Sequence, residues 1–418
     1  MNRHERRAAT KLPQKRTPGD TPLSGSGTFR KILESNPPLT PQDLRRQRID
    51  LIQKIQMTRG RPLVIYATKF GSSVPGVPAY IHREDIVPLV EVLDSVSGDK
   101  IDILLETPGG LAEVTIEIVN LLRPRFRHVG FIIPHMAMSA GTILTMSGDD
   151  ILMDHRSSLG PIDPQFEGID GRPQPAQAIL SGIETIKGEV QKNNGILHPV
   201  YVPILRNVDP GRLQSATNAS ELSRRLVTEW LTQYKFQDWT THSSTSQPVT
   251  DEDRKRRAEE IAKELCDHQK WLSHGRPIKL ADLNRMRLKI TDYGQSAELQ
   301  AAIWSLWVNL HHLLSATNFY KVYESEAGEF YKGAIAPPLG VQPQRAAVPA
   351  KAIANVQCNK CGSNYKVQCN FGAAQPIEAG AMPFPKNSSF NCKNCGTLLE
   401  LSGMKLALEA QMGQPLIA

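Results

Sequence analysis

Short β-branched runs alternate with amphipathic stretches along the first part of the chain. The runs PLVIYAT, IDILLE, VGFII and DILM predict buried strands at residues 62–68, 101–106, 129–133 and 150–153. Between them, apolar positions spaced three and four apart predict helices at residues 44–57, 84–96, 111–125 and 139–147. Strands that alternate with helices indicate βαβ units, and so an α/β fold with a mostly parallel sheet and flanking helices.

The pattern changes after Gln165, where long helical periods replace the strands. Helices are predicted at residues 176–193, 219–236, 251–272 and 296–314, as a helical extension of the main domain. We therefore expect four regions: a disordered basic tail at 1–41, a main domain at 42–335, a Pro/Ala-rich linker at 336–354, and a small C-terminal domain at 355–405.

The formal charge of +7 is concentrated at the start of the chain. Residues 1–16 hold six Lys or Arg and one Glu, which leaves the rest of the 418 residues nearly neutral. This opening lacks an apolar region and is expected to be a solvated tail rather than a signal peptide. The most apolar window, 129–146, is short and interrupted by His135, Ser139 and Gly141, so we expect no membrane span and a cytoplasmic protein.

Two junctions between a strand and a helix carry the candidate chemistry. At the first, ETPGGLAEV, the strand stops at Pro-Gly-Gly and a helix follows at once. Glycines there serve a tight turn, and they also leave backbone N–H groups open to a phosphate or an oxyanion. At the second, HMAMSAGT, small residues flank Ser139 and would expose its hydroxyl.

Parallel strands would bring both junctions to the same edge of the sheet. Ser139 would then be a nucleophile, and the N–H groups of Gly110 and Ala140 would be oxyanion donors, as acyl transfer requires. A serine in a turn of small residues is often only structural. The pairing of the two junctions favours the catalytic interpretation.

The order TPGG, HMAMSAGT and SSLGPIDPQF resembles the serine dehydrogenase proteinase family of Clp/crotonase-fold serine peptidases. The runs PLVIYATKF and WLSHGRPI extend the similarity over about residues 60–290. The resemblance implies a Clp-like fold, a serine peptidase acting on peptides or proteins without ATP of its own, and a homo-oligomer. It also assigns Ser139 as nucleophile with Gly110 and Ala140 as oxyanion donors.

The sequence departs from that of the relatives at the positions where they carry the general base. Where the Clp subunit has its histidine, this chain has about Pro161 to Asp163, and the segment DGRPQPAQA has no lysine at the place used by signal peptide peptidases. Lys187, 48 residues after Ser139, is the preferred candidate for a Ser-Lys dyad, because a desolvated lysine loses its proton more easily. An exposed helix lysine is an equally good interpretation.

Other residues keep the question of the base open. His155 could serve instead, and Asp163 could orient a base or cap a turn. His274 is a more distant candidate. His311 and His312 lie in an apolar helix, where packing is the ordinary role.

Five of the six cysteines lie in the last 61 residues, and four form two CxxCG pairs. This spacing is typical of a structural zinc site, with Cys358, Cys361, Cys392 and Cys395 as ligands in a zinc ribbon. Cys266 and Cys369 are expected not to bind metal. A ribbon with four protein ligands is expected to recognise a substrate, a protein partner or nucleic acid rather than to catalyse.

Two further function classes compete with the peptidase. The first is a catalytically inactive Clp-fold scaffold, in which the zinc ribbon performs the recognition. The second is a crotonase-type enzyme that acts on coenzyme A thioesters through the same oxyanion hole. Such an enzyme does not need a serine at position 139, so Ser139 counts against it.

Overall fold

The computed structural model describes residues 27–71, 76–167, 173–206, 208–242, 245–334, 350–412 and 414–417. Contacts divide the chain into two units, Met1–Ile335 and Ala336–Ala418. Residues 1–26 of the predicted tail and residues 336–349 of the predicted linker lie outside the described residues.

The strands of the first unit follow the predicted order up to residue 153. Their bounds are Leu63–Thr68 (β1), Lys100–Glu106 (β2), His128–Ile132 (β3), Met136–Ala137 (β4), Asp150–Met153 (β5), Ser158–Leu159 (β6), Gln165–Glu167 (β7), Pro173–Pro175 (β8), Thr291–Asp292 (β9), Phe319–Glu324 (β10) and Glu329–Gly333 (β11). The four strands predicted from β-branched runs are β1, β2, β3 and β5.

Seven of these strands form one sheet in the order β11-β10-β1-β2-β3-β5-β9. Strands β1, β2, β3, β5 and β9 pair in parallel, and β10 joins β1 antiparallel with β11 beyond it. The α/β class with a mostly parallel sheet is confirmed. The hairpin of β10 and β11 is an addition to the prediction, which placed only helices after Gln165.

The helices of the first unit match most of the predicted periods. They are Thr28–Leu33 (α1), Pro41–Arg59 (α2), Ile86–Asp94 (α3), Ala112–Leu122 (α4), Ala140–Thr145 (α5), Ala176–Lys192 (α6), Val202–Arg206 (α7), Pro210–Trp230 (α8), Asp251–Cys266 (α9), His268–Trp271 (α10), Leu280–Arg285 (α11) and Ala297–Ala316 (α12). A π-helical turn, Leu231–Lys235, follows α8. No helix of the described residues is both long and apolar enough to cross a bilayer.

Two predicted boundaries differ from the structure for local reasons. Helix α1 lies inside the predicted disordered tail, because Ile32 buries its side chain in the core shared with α2 and α12. The helix predicted at 251–272 is broken at Asp267. This residue is extended, and its carboxylate caps α10 by accepting from the N–H groups of Gln269 and Lys270.

Apolar side chains cover both faces of the sheet, as expected for parallel strands between helices. Val64 and Tyr66 of β1 pack on the face covered by α3, α4, α5, α8 and α9. Leu63, Ile65 and Ala67 pack on the other face against α1, α2 and α12. The parallel pairing of β1, β2 and β3 places their carboxyl ends along one edge of the sheet, where the candidate site lies.

A fully buried carboxylate, that of Asp85, links the hairpin to the segment before α3. It accepts hydrogen bonds from Lys321 of β10, from the hydroxyls of Tyr66 and Tyr323, and from the N–H of His82. Burial and the Asp85 charge raise the pKa of both tyrosines well above their usual range, so both hydroxyls stay protonated and donate. The charge of Asp85 is thereby fully compensated.

The second unit is a small β-rich unit built around the two CxxCG turns, residues 358–362 and 392–396, which we call knuckles. Its elements are Lys351–Gln357 (β12), Asn364–Phe371 (β13), Ala381–Pro383 (β14), Ser389–Asn391 (β15), Leu398–Glu400 (β16), Ser402–Met412 (α13) and Leu416–Ile417 (β17). Strand β12 pairs antiparallel with β13, and β15 pairs antiparallel with β16. The unit thus begins inside the predicted linker and continues past residue 405.

Asp85→Ala should lower the free energy of unfolding of the protein by about 3–5 kcal/mol, because it leaves the Lys321 ammonium buried without its counter-charge. Urea denaturation measures this difference. The neighbouring change Glu84→Ala is the matched control: Glu84 pairs with Lys332 at the surface, where such pairs contribute about 0–1 kcal/mol. Equal losses for the two variants would contradict the central role of Asp85.

Candidate active site

The glycine junction and the serine junction meet at the edge of the sheet formed by the carboxyl ends of the parallel strands. Beyond β2, Thr107 pairs with Ala137 of β4: its N–H donates to Met136 O at 3.0 Å, and its carbonyl accepts from Met138 N at 3.0 Å. A Cβ added to Gly109 would lie 2.8 Å from Cβ of Ser139 and 2.8 Å from Met138 O. The Gly-Gly turn is therefore in direct contact with the serine turn, and position 109 has no room for a side chain.

Gly110 is held by an extended segment on its other side. Ile81 N donates to Gly109 O at 2.7 Å, and Leu111 N donates to Ile81 O at 3.0 Å. A Cβ on Gly110, whose φ is 144°, would lie 2.4 Å from Ile81 O. Only glycine allows this backbone approach.

Two N–H groups at this junction have no acceptor among the described residues. Gly109 N donates to the Thr107 hydroxyl at 3.2 Å, and Gly141 N donates to Met138 O at 2.7 Å. Among the hydrogen bonds of the described residues, neither Gly110 N–H nor Ala140 N–H is a donor. These are the two groups that the sequence assigns to an oxyanion hole.

Ser139 has a backbone conformation that is rare for a residue with a side chain. Its φ is 49° and its ψ −115° at the start of α5. Residues in such sparsely populated regions persist only where the surroundings enforce them, and they cluster at functional sites. The hydroxyl of Ser139 caps no helix N–H, and the residue is half-buried. A strained serine between a strand and a helix is the arrangement that presents a nucleophile.

The segment from Ser158 to Asp163 runs beside the serine turn. The hydroxyl of Thr142 accepts from Gly160 N at 2.9 Å and lies 2.8 Å and 3.0 Å from the carbonyls of Ala137 and Gly160. A Cβ on Gly160 would lie 3.2 Å from Ser139 N. One hydroxyl thus joins the serine turn to the segment that carries Asp163.

Three extended segments lie side by side next to Ser139. Ala137 of β4 pairs in parallel with Leu159 of β6, and Leu159 pairs antiparallel with Ile278. Because of these directions, residues after Ala137, residues after Leu159 and residues before Ile278 all extend toward the same end. Ser139, Asp163 and His274 are those residues.

Asp163 is buried and binds two histidines, one through each oxygen. Oδ1 lies 2.8 Å from Nδ1 of His274, and Oδ2 lies 3.1 Å from Nδ1 of His268. Both imidazoles are partly exposed, at 26% and 21%. An aspartate at Nδ1 fixes the tautomer that leaves Nε2 as a proton acceptor.

Sequence reasoning gave His274 a low rank and missed His268. The available signal was the run DHQKWLSHGRPI, which places two histidines six residues apart just before Ile278. The bridge from Leu159 to Ile278 spans more than a hundred residues, and no local pattern reveals it.

Cys266 is a buried thiol close enough to Asp163 to feel its charge. Burial, together with the Asp163 charge, raises the pKa of its thiol to about 11. The thiol therefore stays protonated near neutral pH and packs as an apolar group.

The other candidate bases lie in different surroundings. Lys187 is on the exposed side of α6, 63% exposed, and its Nζ lies 2.7 Å from Oε1 of Glu184. The side chain of His155 is 57% exposed, with Nδ1 3.9 Å from Asp154. His311 stacks on Trp307 at 5.2 Å between ring centroids, and His312 lies edge-on to Phe29. None of these four is bonded to the serine turn in the described part of the chain.

In the second unit, the four cysteines of the two knuckles converge. Their sulfurs all lie within 4.8 Å of one another, with Cys358 and Cys395 3.6 Å apart and Cys361 and Cys392 3.5 Å apart. Zn–S bonds of about 2.3 Å in a tetrahedron place sulfurs about 3.8 Å apart, so the spacing fits a zinc ion.

The two knuckles have the same backbone bonds. Gly362 N donates to Cys358 O at 2.9 Å, and Gly396 N donates to Cys392 O at 2.8 Å. The hydroxyl of Tyr365 lies 3.1 Å from the Cys392 sulfur and accepts from Lys393 N. Cys369 is buried on β13 and does not belong to the cluster.

Two uncharacterized proteins of Methanocaldococcus jannaschii are similar to this chain. One is 29% identical over 152 residues, covering 35% of this chain and 51% of the relative; the other is 32% identical over 124 residues, covering 29% and 42%. The matched part spans about half the length of these curated relatives.

A solved structure, a mutant of the 1510-N membrane-bound stomatin-specific protease, is also similar. It shares 23% sequence identity, covers 26% of this chain and 55% of that protein, and superposes with a TM-score of 0.20.

The family of ClpP-like SDH-type serine proteinases matches residues 30–201, which include both junctions and Asp163. The predicted family and the ClpP-like fold are confirmed for this segment. Residues 30–201 of this chain are thus similar in sequence to the ClpP-like SDH-type serine proteinases.

Proposed function

We propose that this protein is a serine peptidase that cleaves peptide bonds through an acyl-enzyme on Ser139. The observation that carries the proposal is the contact of the Gly109-Gly110 turn with Ser139, at which the N–H groups of Gly110 and Ala140 have no acceptor in the described part of the chain. The family match supports a peptidase in general. Peptide substrates and the homo-oligomer implied by the resemblance are part of the same proposal.

We propose His274, held by Asp163, as the general base instead of Lys187. The shared end of the three extended segments and the 2.8 Å contact between His274 and Asp163 support this choice. A base lysine must be desolvated, whereas Lys187 is exposed and paired with Glu184. His268, the second partner of Asp163, is the alternative histidine.

The reaction then follows from these roles. Oγ of Ser139 attacks the peptide carbonyl carbon while its proton passes to Nε2 of His274. The N–H groups of Gly110 and Ala140 donate to the oxyanion of the tetrahedral intermediate. When the C–N bond breaks, His274 returns the proton to the departing amine. Water then attacks the ester carbon while His274 accepts its proton, and His274 returns this proton to Oγ of Ser139 as the ester C–O bond breaks.

Ser139 should react covalently with a fluorophosphonate probe, because an activated serine attacks phosphorus as it attacks a carbonyl. Intact-mass analysis should show one adduct per chain, which Ser139→Ala removes. Ser97→Ala, a change at an exposed serine, should leave labelling unchanged. Folded protein that forms no adduct would support the inactive scaffold.

His274→Ala should lower peptide hydrolysis by about 10²–10⁴-fold, the usual contribution of a general base. Lys187→Ala should stay within about twofold of wild type, as is usual for an exposed residue outside the site. Hydrolysis of a fluorogenic peptide without ATP measures both. His268→Ala is the matched control for the second contact of Asp163. A large loss with Lys187→Ala and none with His274→Ala would restore the Ser-Lys dyad.

The second unit is proposed to be a zinc ribbon with a structural role. One zinc per chain is expected by elemental analysis, bound by Cys358, Cys361, Cys392 and Cys395, because four thiolates at this spacing complete a tetrahedral site. Cys392→Ser should lose the metal, and Cys369→Ser should keep it. Metal retained equally by both variants would contradict the assignment.

A further inference from the structure

A second site lies at the opposite edge of the sheet from Ser139. His128 begins β3 and Asp150 begins β5, so both mark the amino ends of strands whose carboxyl ends lead to the candidate active site. A cavity of 710 Å³ opens there, bounded also by the π-helical turn and by α9. Ligand pockets have volumes of about 300–1,000 Å³.

The acidic residues of this cavity, apart from Asp238, each have an arginine partner. Asp149 pairs with Arg123 at 2.7 Å, and Asp150 pairs with Arg59 at 3.1 Å. At the rim, Asp253 pairs with Arg256, and Arg257 pairs with Glu260. These pairs leave no net charge.

Three lining cations have no acidic partner bonded to them in the described residues: Lys235, Arg287 and Lys289. Asp238 is the one lining acid that has no bonded cation among the described residues. The remaining balance of the cavity is therefore positive, although the folded body of the chain is nearly neutral. Clusters of cations in a concave site concentrate the field for an anion.

Lys235 is positioned by an unusual backbone element. It ends the π-helical turn Leu231–Lys235, and its Nζ donates to Asp149 O at 2.9 Å. Single π turns are rare and occur frequently at functional sites. Burial lowers the pKa of Lys235. The charges of Asp150 and Asp149 oppose this shift, and the nearby Lys289 charge adds to it, so Lys235 and Lys289 are close enough to repel each other.

Arg287 is the third cation of the cavity, and its backbone conformation is strained. Its φ of 59° is left-handed, which costs an L-residue about 1–2 kcal/mol. Lys289 lies two residues further on, and both side chains are exposed. Trp239 forms part of the wall, edge-on to Phe236 at 5.8 Å between ring centroids.

We propose that this cavity binds a phosphate-bearing anion, a diphosphate or triphosphate group, through Lys235, Arg287 and Lys289. A group with several negative oxygens can accept from all three cations and relieve their repulsion, and the exposed Arg287 guanidinium can bind phosphate with two N–H groups. The anion could be inorganic or part of a nucleotide, and in the second case the ring would lie against Trp239. The site is separate from the serine site and does not depend on the proposed peptidase activity.

Isothermal titration calorimetry of the full chain with inorganic pyrophosphate tests the site. Wild type should bind, and Arg287→Gln or Lys289→Gln should each weaken binding about tenfold or more, as expected for loss of one charge-assisted contact. Lys192→Gln, a neutralisation at an exposed lysine of α6, should leave the affinity unchanged. Absence of binding to wild type would overturn the proposal.

The Arg287→Gln, Lys289→Gln double variant provides a second check. Pyrophosphate also binds zinc, and this variant leaves the ribbon cysteines intact. If the variant gives the same binding heat as wild type, the heat does not come from this cavity and the proposed site is wrong. Adenosine triphosphate is the second probe. Tighter binding than pyrophosphate, lost in Trp239→Leu, identifies a nucleotide, and equal binding identifies the inorganic group.

Discussion

The buried carboxylate of Asp85 is the interaction on which the candidate active site depends. It joins β1 and β10 through Tyr66, Tyr323 and Lys321, and it fixes the start of the segment before α3 through the N–H of His82. Lys321 also donates to Tyr80 O at 2.7 Å. The residues on both sides of Ile81 are therefore held from the core.

Ile81 transmits this constraint to the glycine turn. Its backbone exchanges hydrogen bonds with Gly109 and Leu111, and its approach to Gly110 leaves no space for a Cβ. The direction of Gly110 N–H thus depends on a charge buried on the far side of Ile81. A buried ion pair is weak evidence for stability, since desolvation offsets much of its attraction, but a fully bonded one fixes geometry.

The sequence was sufficient to predict the parallel sheet, both junctions and the cysteine cluster, because each of them produces a pattern among residues that are close along the chain. It did not predict β10, whose run FYKVYE contains Lys321 and Glu324. Charges in a strand normally indicate an exposed face, but here Glu324 is buried with Arg48 and Lys321 with Asp85. The partners are more than two hundred residues away, so only the folded chain shows that these charges are compensated.

The same reasoning applies to the proposed general base. The prediction of Lys187 rests on its distance along the chain after Ser139, and such a distance says little about where the side chain lies in the fold. In the structure Lys187 lies on α6, exposed and paired with Glu184, while Asp163 contacts His268 and His274 from beyond α9.

Asp163 with two histidines also has a consequence for its own charge. Oδ1 faces Nδ1 of His274, and Oδ2 faces Nδ1 of His268 and also accepts from Nε2 of Gln165. N–H groups of three side chains therefore compensate the buried carboxylate, and each imidazole is oriented with Nε2 free. Two equivalent acceptors would then compete for the serine proton if position did not distinguish them. The bridge from Leu159 to Ile278 makes that distinction, since it aligns the segment of His274 with the serine turn, whereas His268 belongs to the short helix capped by Asp267.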